Sequence, residues 1–74
     1  MMPEQVNELK KLTAIATDLG LSAKLRTKAI ELLGNTGTYE ALLALLELAA
    51  NEKLIKQERE LALKQAREII RSGH

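Results

Sequence analysis

Sliding the chain against itself by 33 residues brings helical apolar positions and loop residues into register together, and few folds satisfy that constraint. Leu9 falls on Leu42, Leu12 on Leu45, Ala16 on Ala49, Leu21 on Leu54, Arg26 on Arg59 and Ala29 on Ala62. Similar residues meet between these: Val6 with Tyr39, Ile15 with Leu48, Asp18 with Asn51 and Ile30 with Leu63. The pairs keep the three- and four-residue steps of a helix face, and they align both connecting loops. The chain therefore reads as two copies of one helix-loop-helix unit, about residues 5–37 and 38–70.

Punctuation along the chain gives four helices. Pro3 suits a first helical position, and Val6, Leu9, Leu12, Ile15, Ala16 and Leu19 recur at helical steps until Gly20. Ser22 caps a second helix, whose apolar positions Leu25, Ala29, Ile30, Leu32 and Leu33 precede Gly34, a fitting left-handed end. Thr38 caps the third, which runs to about Ala50, with Glu40 in the first turn where the helix dipole favours an anion. A fourth occupies roughly Lys56 to Arg71, with Leu63, Ala66, Ile69 and Ile70 inward; Leu54 and Ile55 fit either loop or helix.

Composition agrees with this pattern. Hydrophobic residues make up 46% of the 74 and aromatics 1%, Tyr39 alone, so a core must come from Leu, Ile, Val and Ala. The length predicts one domain, at a size where a single core leaves only about 5 kcal/mol of net stability. With no Cys, neither a disulfide nor a thiolate zinc site staples the fold, and a cytoplasmic setting is expected. No apolar run reaches the ~20 residues of a bilayer span, and no secretion signal precedes the first helix. A net charge of +1 is too small for the global attraction of a general nucleic-acid binder.

One segment carries a known pattern: Arg26, Ala29, Ile30, Leu33, Gly34 and Gly37, followed by Glu40, Ala41, Leu42, Leu45 and Leu46. It resembles the short HEAT-like repeat first noted in phycobilisome lyase subunits, over about residues 25–50. In the second copy Arg59 and Ala62 match, while Ala66 stands for Leu33 and Arg67 for Gly34. The resemblance implies an all-α, four-helix α-solenoid fragment of two HEAT-like units, whose usual activity is protein binding, with DNA binding or lyase partnership in some members. It also implies that Arg26 and Arg59 hydrogen-bond loop acceptors of a neighbouring unit, for which Asp18 and Asn51 are the candidates.

Chemistry finds few residues to work with. The one histidine is His74, the final residue, so Ser-His, Cys-His and zinc constellations have no members here. Glu40 and Glu47 lie two helical turns apart, but nothing around them promises the raised pKa of a general acid. Gly34, Asn35, Thr36 and Gly37 lack the following Lys-Ser/Thr of a phosphate loop and make a turn. We expect no catalysis, no cofactor and no metal. For nucleic acid, Lys24, Arg26, Lys28, Lys64, Arg67 and Arg71 supply cations on helices two and four, diluted by Glu31, Glu60 and Glu68. A nucleic-acid-binding accessory role is the alternative.

The favoured function is protein binding. On helix three Leu43, Ala44, Leu46 and Ala50 correspond to Lys10, Lys11, Thr13 and Thr17 of helix one, so the second copy lacks the polar coat of the first. Leu43, Leu46 and Ala50, with Leu61 or Ile70 of helix four, are expected to form an apolar patch for another protein or a second copy, a homodimer being simplest. Whether helix four folds back over that patch is left open by the sequence. A second surface, Asp18, Glu40, Glu47 and Asn51 with Asn7, would suit a basic peptide.

Overall fold

A computed structural model describes residues 3–72, with side chains from Glu8 onward. Among these residues the chain is all-α: α1 spans Pro3–Thr17, α2 Ala23–Thr36, α3 Tyr39–Ala49 and α4 Lys56–Arg71. The side chains of Val6 and Asn7, and His74 altogether, lie outside the described set.

Two helices begin as their sequences dictate. The Ser22 hydroxyl accepts a bond from the Leu25 N–H at 3.3 Å, and the Thr38 hydroxyl accepts one from the Ala41 N–H at 3.1 Å. Each satisfies a first-turn donor that has no partner within its helix, worth about 1 kcal/mol. At the start of α4, Ile55 occupies the cap position with extended backbone and no side-chain bond. Leu54 and Ile55 are therefore loop residues, which resolves that boundary.

The end of α2 corrects an expectation. Gly34 does not terminate the helix, which continues to Thr36; Gly37 takes the left-handed conformation, at φ 66°. Gly34 serves another purpose, because a Cβ there would come within 2.7 Å of Cδ of Gln65 on α4, whose side chain would have to move aside. The two helices approach as closely as a missing side chain permits.

The loops at residues 18–22 and 51–55 make the same bonds 33 positions apart. Oδ1 of Asp18 accepts from the Gly20 N–H, and Oδ1 of Asn51 from the Lys53 N–H, both at 2.9 Å. The Asp18 carbonyl accepts from the Leu21 N–H at 3.0 Å and the Asn51 carbonyl from the Leu54 N–H at 3.1 Å. The Ser22 and Ile55 carbonyls then receive the N–H groups of Arg26 and Arg59, both at 3.1 Å. A short Asp or Asn side chain at the head of each loop folds the backbone into a turn.

Packing places α2 against α1, α3 and α4, with α3 also touching α1 and α4. Ile30, Leu33, Leu45 and Leu48 are the largest apolar side chains fully inside, and Ala16, Ala29, Ala41, Ala62 and Ala66 let the helices close around them. Leu63 and Ile70, expected inward, are exposed, as are Ile15, Leu19, Leu25 and Leu32 of the apolar positions on α1, α2 and the loop between them. They are only partly covered: Leu32 lines a groove with Glu8, Lys11 and Leu12 of α1, and Leu63 one with Ala49 of α3.

Candidate protein-interaction surface

The seam between α2 and α4 is held by a buried ion pair. Nη2 of Arg26 lies 2.9 Å and Nε 3.0 Å from Oε2 of Glu58, while Nη1 donates to the Leu21 carbonyl at 2.6 Å. Both residues are buried. The arginine thus takes its carboxylate from the following helix; the expected acceptors, Asp18 and Asn51, turn their side-chain oxygens to their own loops. Glu58 escaped the sequence reading because a charged residue in a first helical turn is ordinarily solvated. The available signal was its place next to Arg59, where the first copy carries Leu25. Because Arg26 meets Glu58 and Gly34 meets Gln65, contacts ascend together along both helices, so α2 and α4 run parallel.

Residues 33 apart are chemically alike but differently covered. Ile30 is 0% exposed under α4, whereas its counterpart Leu63 is 40% exposed. Ala16 is buried and Ala49 half-buried. Arg26 is paired, whereas Nε of Arg59 is buried without a hydrogen-bond partner among the described residues. On the opposite side the asymmetry reverses: Ile15 is 37% exposed and Leu48 2%. The difference is confined to particular positions: Ala29 and Ala62, and likewise Leu33 and Ala66, are buried alike.

The uncovered forward surface is a shallow groove lined by Ala49, Lys56, Arg59, Glu60 and Leu63. On α4, Arg59, Leu63 and Ile70 fall within about 40° of one another at 3.6 residues per turn, so Ile70 extends the groove along the helix. Leu46, 39% exposed, lies one turn before Ala49 on α3.

The expected patch therefore divides. Ile70 is exposed on the stripe of α4 that carries Leu63, Leu46 is exposed one turn before the groove residue Ala49, and Ala50 is exposed at the end of α3. Leu43 instead lines a separate groove between α1 and α3, with Leu9, Lys10, Thr13, Ala14, Glu40, Ala44 and Glu47. Leu61 is half-buried against the core and supplies little surface. Leu63, Ala49 and Arg59 belong to the surface but were absent from the expected set, since Leu63 had been assigned inward.

The basic-peptide surface also divides. Glu40 and Glu47 share the α1–α3 groove with Lys10, while Asp18 and Asn51 are loop-turn residues outside it. Nor is the first copy fully coated with polar residues, because Ile15, Leu19, Leu25 and Leu32 are exposed on it. Among the basic residues proposed for nucleic acid, Arg26 is buried in its ion pair and unavailable. The i,i+4 pair on α4 is Lys56 with Glu60 at 4.0 Å, both solvated, a geometry worth a few tenths of a kcal/mol at most.

Among the described residues no three His, Cys, Asp or Glu side chains converge to form a metal cage, and no helix is long and apolar enough to cross a membrane. Comparison with known proteins gives no match to a family model, a curated protein or a solved structure.

Proposed function

We propose that the protein is a non-catalytic, cytoplasmic protein-binding module, a HEAT-like α-solenoid fragment of two units, whose docking surface is the uncovered forward side of α3 and α4. The observation that supports this most is the contrast between Ile30 and Leu63: like residues, one fully covered by a helix and the other 40% exposed. Leu46, Leu63 and Ile70 each leave roughly half of an apolar side chain in water, worth about 1 kcal/mol apiece if a partner buries the remainder. The alternative of nucleic-acid binding is weakened by the loss of Arg26, and the remaining cations on α2 and α4 alternate with Glu31, Glu60 and Glu68.

Photo-crosslinking tests the function directly. A crosslinker at position 63 should give a protein adduct in cell extract, whether a second copy or another protein, while one at position 28 on the outer face of α2 gives none. Absence of an adduct at position 63, or equal adducts at both positions, contradicts the assignment. Light scattering at micromolar concentration then separates a homodimer from a heterologous partner.

A further inference from the structure

We infer that the forward groove receives an acidic amphipathic helix from another protein, laid on α4 as α4 itself lies on α2, with its carboxylate bound by Arg59. This rests on the protein-binding assignment above and specifies the chemistry of the partner. The internal seam is the template. There Arg26 holds a carboxylate one helical turn before Ala62 and two before Ala66, and these small residues let α4 settle over Ile30 and Leu33.

The corresponding receiving residues on α4 are Arg59 for Arg26 and Leu63 for Ile30, while Ala66, the counterpart of Leu33, is already fully buried in the core. Nε of Arg59 is the equivalent of the atom that donates to Glu58 from Arg26, and it is already buried without a partner among the described residues. A buried guanidinium donor without an acceptor costs free energy that an incoming carboxylate recovers. One position differs in an informative way. Where Gly34 makes room for Gln65, the second copy presents the exposed cation Arg67. The incoming helix is therefore best served by a second carboxylate seven residues after the first.

A second copy of this chain fits poorly as occupant. If its first unit repeated the internal seam, Leu25 would meet Arg59 where Glu58 meets Arg26. Leu32 would meet Arg67 where Gln65 meets Gly34, and Glu8 would stand where Ala41 is fully buried. A two-fold contact through α4 instead brings Arg59 and Arg67 of each copy toward those of the other. Charge complementarity favours an acidic helix over either arrangement.

The test uses a blocked synthetic peptide of residues 55–71 carrying Gln65→Glu with Arg59→Gln, Arg67→Gln and Arg71→Gln, which makes it acidic, and a control that carries Glu58→Leu and Gln65→Leu in that same background, each titrated into isotope-labelled full-length protein. Binding should move the amide signals of Ala49 and Leu63 and the Arg59 Nε–H. The control should bind at least tenfold more weakly, and Arg59→Met should abolish the difference between the peptides. Equal binding of both peptides overturns the inference, as does no binding at millimolar peptide. Shifts centred on Arg26 and Ile30 also overturn it, because they mean that the peptide has displaced α4. If the protein proves to be a dimer that buries Arg59, this inference fails while the protein-binding function stands.

Discussion

Helices α2 and α4 hold like residues in like order, yet among the described residues α2 packs against three other helices and α4 against two. Arg26, Ala29, Ile30 and Leu33 of α2 all lie buried, with α4 laid across them. Arg59, Ala62, Leu63 and Ala66 of α4 present the same side to water at Leu63 and leave the Arg59 Nε unpaired among the described residues. Cover is thus supplied by the neighbour and not by the residue. A side chain contributes the full energy of burial only if another helix arrives over it.

The largest expected effect tests the arginines. Arg26→Met strands the buried Glu58 carboxylate and should cost about 3 to 5 kcal/mol, enough to unfold much of a domain with a net stability of about 5 kcal/mol. Arg59→Met removes a buried donor that has no partner among the described residues, so it should leave stability unchanged or raise it by about 1 kcal/mol. Urea denaturation followed by circular dichroism reads both, and equal losses break the comparison. Arg26→Met combined with Glu58→Leu should recover most of the loss, since an apolar pair replaces a buried ion pair with little net change.

Next come the aliphatic counterparts. Ile30→Ala should cost about 2 to 5 kcal/mol through lost burial and a residual cavity. Leu63→Ala, in the protein without a partner, should cost less than about 1.5 kcal/mol because much of the side chain is already wet. A Leu63→Ala loss matching that of Ile30→Ala in thermal melts contradicts the difference in cover.

The α2–α4 contact at Gly34 is a third test. Gly34→Ala gains helix propensity of about 1 kcal/mol but drives a methyl group into Gln65, so the net change should be destabilising by about 1 kcal/mol. In a Gln65→Ala background the same substitution should turn neutral or stabilising. A double-mutant cycle without coupling would mean that the helices stand farther apart.

The smallest effect concerns α4's missing cap. Ile55 is the counterpart of Ser22, exposed and without a side-chain bond to the first turn. Ile55→Ser should raise stability by about 0.5 to 1 kcal/mol, and Ser22→Ala should lower it by about the same. A loss from Ile55→Ser in the same melts would show that the apolar side chain has a packing role here.

What the sequence made legible follows from what local chemistry determines. The four helices, the Ser22 and Thr38 caps and the turns headed by Asp18 and Asn51 depend on residues a few positions apart, so they are written in the chain directly. The exposure of Ile15 and of Leu63 is not, since Leu48 and Ile30 are nearly the same residues with the opposite burial. That difference is decided by whether a unit stands before or behind, which a pattern within one unit does not encode. Glu58 and Gly34 are similar cases: each takes its role from a contact more than thirty residues distant in the chain.

Thiol labelling of two single-cysteine variants tests the central contrast most directly, because the chain has no native Cys. In dilute monomer, Leu63→Cys should react close to the rate of an unstructured peptide, whereas Ile30→Cys should react only through opening of the α2–α4 seam and slow markedly as stability rises. Comparable protection at both positions, or free reaction at both, would contradict the assignment of α4 as the uncovered counterpart of α2.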